Sequence, residues 1–127
     1  MAEHSINVAN LCGAGNKLWA LLHDASEAYL CDVVTPVKKL MPEYSKIEKI
    51  LQQAICVKFG LPADMPEEVH KADIVMLATE ISDYVGADPV TWNVHVSPLS
   101  RRLQRPLRPL DAMNEFLDYF HEIAGGE

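Results

Sequence analysis

No stretch of this sequence approaches the roughly 20 consecutive apolar residues that a membrane-spanning helix needs, so no membrane partner is expected. Its start, with Glu3 and His4, lacks the lysines and apolar run of a secretory signal, and no export is expected either. Cysteine is scarce. Cys12, Cys31 and Cys56 are odd in number, widely spaced and without a CxxC pair. That pattern disfavours a disulfide framework and a thiolate zinc site, and favours free thiols in a reducing compartment, the cytoplasm by default. Basic charge is also short. The formal net charge is -7, whereas a duplex nucleic acid partner demands a basic footprint, so none is expected. An acidic chain can still act on phosphates where a bound metal reverses the local field. Repeats and low-complexity tracts are absent, and strand-like alternation surfaces only weakly, around residues 91–96.

What is present suits one globular domain spanning 1–127: 127 residues, 49% hydrophobic and 23% charged. His4, Val8 and Leu11 fall at helical spacing ahead of Gly13 and Gly15. Asn16 suits the cap of a second helix with the stripe Leu18, Leu21, Leu22, Ala25 and Tyr29. Residues 32–42 hold two prolines and read as a connecting loop. A third helix starts at Pro42, carries Tyr44, Ile47, Leu51, Ala54, Ile55 and Phe59 on its apolar side, and stops at Gly60. Asp64, Pro66 and Glu67 form a start signal for a fourth helix running to Val85, with Gly86 beyond. Residues 87–110 are a long proline-rich connection, a type that tends to wrap over a core or carry function. Asp111 suits the cap of a last helix with the stripe Met113, Phe116, Leu117, Phe120 and Ala124. The expected class is all-α, a compact bundle of about five helices.

The informative positions are polar residues on faces that ought to be apolar. The fourth stripe reads Val69, Ala72, Asp73, Met76, Leu77, Glu80, Ile81 and Tyr84, so Asp73 points where an ionised carboxylate is costly unless paired or bound to metal. His23 and Asp24 stand beside Leu22 and Ala25, Glu27 lies one turn further on, and His4 shares a face with Val8 and Leu11. A lone histidine on such a stripe is more often a hydrogen-bonded core residue, and a lone buried aspartate more often a cap or ion-pair partner. Jointly, two imidazoles and two carboxylates suit one divalent ion of borderline or hard character, such as zinc, manganese, cobalt, magnesium or iron.

His4, the adjacent His23-Asp24 pair and the distant Asp73 resemble the H…HD…D signature of the HD-domain phosphohydrolase superfamily. The string Ala20-Leu21-Leu22-His23-Asp24-Ala25-Ser26-Glu27, the segment Asp32-Val33-Val34-Thr35-Pro36-Val37-Lys38, and Lys71-Ala72-Asp73 narrow it to bacterial HD-domain 5'-deoxynucleotidases and short phage and bacterial HD hydrolases. The similarity spans roughly residues 2–84. The resemblance implies a helical fold with a central metal, often a homodimer, that hydrolyses a phosphoester of a small nucleotide, most simply the 5'-phosphate of a deoxynucleoside monophosphate. It implies His4, His23, Asp24 and Asp73 as ligands, Glu27 as the group handling the attacking water, Asp32 near the sugar 3'-hydroxyl, and Lys38 as a phosphate contact. Related HD proteins remove tripolyphosphate from deoxynucleoside triphosphates, and a catalytically silent interaction module is a further alternative. The family's arginine ahead of its first histidine has no counterpart before His4. Arg101, Arg102, Arg105 and Arg108, the only arginines of the chain, read either as a solvated loop or as an anion-facing patch in its stead.

Overall fold

The computed structural model describes residues 1–103 and 106–125, and among them the fold is all-helical with no strand. Seven α-helices follow in order: α1 (Ala2–Asn10), α2 (Lys17–Leu21), α3 (Glu27–Leu30), α4 (Thr35–Lys38), α5 (Pro42–Phe59), α6 (Glu67–Glu80) and α7 (Pro109–Ala124). None of the described helices is long and apolar enough to cross a membrane.

The first helix is the hub. It packs against α2, α6 and α7 and buries Ser5, Ile6, Val8 and Ala9. A helix at a chain end frays unless it is tied down. Here Glu3 accepts the backbone N–H of Leu107 at 3.0 Å and lies 3.3 Å from the Tyr84 hydroxyl, so the proline-rich connection is lashed across the first turn. That connection is tied down twice more. The Leu99 N–H donates to the fully buried Thr79 hydroxyl at 3.0 Å, and the Leu103 N–H to Asp83 at 2.7 Å. It covers the second side of α6, which is why Ala78 and Thr79 are buried as well as Val69, Ala72 and Met76. Residues 89–92 form a 3₁₀ turn and residues 93–96 are irregular, so the weak alternation over 91–96 produces no strand.

The expected second helix is broken into α2 and α3 by turns over residues 22–26. Two side chains take the carbonyls that would continue it. His23 Nδ1 sits 2.6 Å from the Ala20 carbonyl, and Gln52 Nε2 donates to the Leu22 carbonyl at 3.1 Å. The chain there falls back on bonds between residues three apart, such as Ala25 N–H to Leu22 O and Glu27 N–H to Asp24 O, each 3.0 Å. The supposed loop after Asp32 holds the short helix α4, whose first turn accommodates Pro36.

Helix ends follow the glycines. Gly60 closes α5 and Gly86 closes the π-helical turn 81–85 that continues α6, both with φ near +70° (68° and 71°) that a residue with a Cβ adopts at a cost. The side-chain caps expected at the starts do not form. Asn16 turns away to bond Glu68, α6 starts after Pro66 and not at Asp64, and Asp111 lies inside the first turn of α7, paired with Arg108 at 2.8 Å. The apolar stripe of α5 is also shifted. Ile55 and Cys56 are buried, whereas Ile47 and Ala54 of the expected stripe are exposed. All three cysteines are free thiols.

Candidate metal centre

Three helices of the bundle converge on one point. His4 comes from the first turn of α1, His23 from the unwound turn after α2, and Asp73 from the middle of α6. His4 Nε2 lies 2.8 Å from Asp73 Oδ1, and His23 Nε2 lies 3.6 Å from the same oxygen. One potential donor atom from each of the three residues lies within 4.8 Å of the others. Donors held tetrahedrally at about 2.0–2.2 Å from a single ion stand roughly 3.3–3.6 Å apart, a spacing within reach of this group. Asp24 Oδ2 adjoins it, 3.1 Å from His23 Nε2.

Each imidazole is held from behind. His4 Nδ1 is 2.8 Å from Glu80 Oε1, and His23 Nδ1 is 2.6 Å from the Ala20 carbonyl. A proton on each Nδ1 leaves both Nε2 lone pairs aimed at the same place, the tautomer that metal-ligating histidines adopt. His23 supplies the decisive oddity. Its side chain is almost wholly buried (1% exposed), and Nε2 lies 3.1 Å from Asp24 and 3.6 Å from Asp73 without a well-formed hydrogen bond to either. A buried nitrogen whose only neighbours are carboxylates in poor hydrogen-bond geometry is poorly satisfied. A cation at the centre of these donors would satisfy it.

In the metal-free protein the donors are strongly coupled acids and bases. Burial disfavours the charged form of His4, but hydrogen bonds to Asp73 and Glu80 outweigh it and raise its pKa to about 9. Burial likewise opposes charge on His23, yet Asp24 and Asp73 raise it to about 10. Burial also pushes the Asp73 carboxyl upward, but its two histidine partners hold it well below the usual carboxylate range. Both imidazoles are therefore protonated at pH 7 in the metal-free protein, and each would have to lose a proton to become a ligand. Zinc titration by calorimetry in buffers of different ionisation enthalpy is expected to show about two protons released per ion at pH 7. Release of fewer than one would remove one imidazole from the ligand set.

Beside Asp24 stands a second polar group. Glu27 opens α3, its N–H bonded to the Asp24 carbonyl, so the two carboxylates are neighbours although the helix between them is unwound. Burial, then the charges of Asp24 and Asp32, raise the Glu27 pKa to about 7, against the opposing pull of Lys38. Lys38 is committed to Glu48 at 3.2 Å and lies 5.6 Å from the Tyr44 ring centroid. Asp32 is exposed at the turn following Cys31. The chain thus brings His4, His23 and Asp73 to one point, leaves Asp24 beside His23 outside that group of three, and places Glu27, Asp32 and Lys38 within each other's field.

Cys31 carries the sharpest backbone conformation of the region, φ 63° and ψ 164°. This combination is nearly confined to glycine, costs about 1–3 kcal/mol, and persists only where the surroundings impose it.

The arginines stand apart from this centre. Arg101 and Arg102 line a cleft of about 370 Å³ with Glu3, Ile6, Asn7 and Tyr84, on a different face of α1 from His4, and Arg108 is paired with Asp111. Arg105 lies outside the described residues. Glu80, a stripe residue with no site role expected, joins the centre behind His4. It stands seven positions after Asp73, two helical turns along the same stripe, and that spacing was its signal.

No family model matches the sequence. It is 33% identical over 129 residues to YfdR, an uncharacterized protein of Escherichia coli, across 98% of this chain and 71% of that protein. The chain belongs to the YfdR family. A second relative, an uncharacterized protein of Rhodobacter capsulatus, is 39% identical over 80 residues, covering 57% of this chain and 41% of the relative. The YfdR match takes in nearly the whole helical domain, whereas less than half of the Rhodobacter capsulatus protein is spanned by it.

Proposed function

We propose that this protein is a metal-dependent phosphohydrolase whose substrate is a deoxynucleoside 5'-monophosphate, in line with its resemblance to the HD-domain superfamily. One observation carries the reading. Two imidazoles, one on α1 and one in the turn after α2, each fixed at Nδ1, aim Nε2 at the Asp73 carboxylate of α6, and the His23 nitrogen is buried without a well-formed hydrogen bond. Structural histidines satisfy their buried nitrogens. Ligand histidines wait for a cation.

His4, His23, Asp24 and Asp73 hold one divalent ion, of the zinc, manganese, cobalt, magnesium or iron type. When bound, such an ion lowers the pKa of a coordinated water and neutralises charge on phosphoryl oxygens. Glu27 takes a proton from the attacking water and returns it to the leaving 5'-oxygen. Its pKa of about 7 suits both directions of transfer near neutrality. Asp32 accepts a hydrogen bond from the sugar hydroxyl, and Lys38 exchanges part of its contact with Glu48 for the incoming phosphate.

Chromatography of products from deoxynucleoside mono- and triphosphates, with manganese or cobalt and with chelator, tests this. Chelator-sensitive release of nucleoside and orthophosphate from monophosphates is the expected result. Tripolyphosphate from triphosphates would select the triphosphohydrolase alternative. A metal-loaded protein that hydrolyses neither would be a silent interaction module.

A further inference from the structure

We propose that Tyr44 is a positioning residue: its hydroxyl holds the strained backbone at Cys31 and so fixes Asp32 beside Glu27 and Lys38. The part of this inference that concerns substrate rests on the phosphohydrolase reading.

Cys31 ends α3 with a backbone that only glycine adopts freely. Its side chain is exposed, so burial of the thiol does not impose the conformation. Hydrogen bonds do. The Cys31 N–H donates to the Glu27 carbonyl at 2.9 Å, and the Tyr44 hydroxyl donates to the Cys31 carbonyl at 2.5 Å, with the Leu30 carbonyl 3.4 Å away. Tyr44 stands in the first turn of α5, which is anchored to the domain further along by buried Ile55 and Cys56 and by the bond from Gln52 to the Leu22 carbonyl. The turn carrying Asp32 is thereby tied to the longest helix of the fold.

The same tyrosine orders its neighbours. Lys38 packs over its ring and reaches Glu48 on the next turn of α5. Rotation about φ of residue 31 redirects everything after it, and the next residue is Asp32. Without the hydroxyl, the Cys31 carbonyl loses its partner, the turn relaxes toward negative φ, and Asp32 swings away from Glu27. Among the described residues the Tyr44 hydroxyl bonds only the Leu30 and Cys31 carbonyls and no metal-donor side chain, so its loss falls first on the grip on substrate.

The test is a double-mutant cycle of Tyr44→Phe and Cys31→Gly, read by thermal melting, together with steady-state kinetics of the Tyr44→Phe protein on deoxynucleoside monophosphates. Cys31→Gly is expected to raise the melting temperature by about 5 °C, because glycine takes this conformation without strain. Tyr44→Phe is expected to lower it by about the same amount, and by less than half as much when residue 31 is glycine. In turnover, Tyr44→Phe is expected to raise KM about tenfold with kcat within about twofold. An equal melting penalty in both backgrounds would overturn the clamp, and an unchanged KM in an active enzyme would overturn the positioning of Asp32. Absence of any wild-type turnover would sink the phosphohydrolase reading, while the melting cycle would still decide whether Tyr44 holds the strained turn.

Discussion

Asp73→Ala is expected to empty the centre of metal and to abolish the difference in melting temperature between metal-loaded and chelator-treated protein. Asp73 is the carboxylate that faces both imidazoles, 2.8 Å from His4 Nε2 and 3.6 Å from His23 Nε2. Its removal takes away one donor and, with it, the charge that keeps the other two aligned. A ligand that binds only the folded state stabilises it by about 2.7 kcal/mol at a hundredfold excess over Kd and about 4.1 at a thousandfold. For a domain of this size that corresponds to a shift on the order of 10 °C, lost entirely in the variant.

The metal-free protein gives an independent reading of the same contacts. The pKa values of His4 and His23 are raised by folding to about 9 and about 10, from an ordinary 6.5. A raised pKa means that the folded state binds more protons than the unfolded one. The stabilisation is therefore fully present below about pH 6.5 and is lost as pH rises through about 9 to 10. The Asp73→Ala protein, measured with chelator, is expected to lose part of this dependence, the remainder resting on Asp24 and Glu80. Elemental analysis showing one ion per chain in the variant would remove Asp73 from the site.

Glu27→Gln is expected to lower kcat by a factor of about 10² to 10⁴ with the metal content unchanged. Glutamine keeps the shape of the side chain and cannot accept a proton, so the change isolates the acid–base role. The pH profile carries the sign. If Glu27 is the base that activates water, kcat/KM rises with pH as the carboxyl ionises and levels above about 7, the value to which burial and the neighbouring carboxylates push it. A cation held by Asp24 and its partners moves that inflection downward, because positive charge favours the carboxylate. The Glu27→Gln protein is expected to lose the rising limb. A profile that falls with pH through this range would make Glu27 the acid toward the leaving group, and a kcat within twofold of the parent would remove it from the reaction. Loss of metal together with activity would make it a ligand or a structural residue.

The helical class was legible because periodic apolar residues and glycine stops are local signals. Pro42 and Gly60 bracket α5, and Gly86 ends the turn after α6 as the pattern implied. Asp73 was legible for a related reason, as a carboxylate on an apolar stripe is out of place in any fold. The break between α2 and α3 was not legible. It depends on Gln52, some thirty residues away, taking a carbonyl, and on the His23 ring turning back on Ala20. Glu27 follows Asp24 through a turn that brings its N–H to the Asp24 carbonyl, where the local pattern implies an unbroken helix. The failed caps belong with these. Asn16 has the right chemistry for a helix start, but Glu68 from α6 competes for its amide and wins.

By itself the sequence determined the helical class, most of the segment ends, and the residue types available for a metal, since each follows from short-range periodicity, backbone preference or the cost of burying charge. Only the tertiary structure decided that His4, His23 and Asp73 meet within one coordination sphere, that Glu80 stands behind His4, and that Tyr44 grips the strained turn at Cys31. Those contacts join residues from 13 to 76 positions apart in the chain. Their formation depends on how the helices pack around α1, and a local pattern carries no record of that packing.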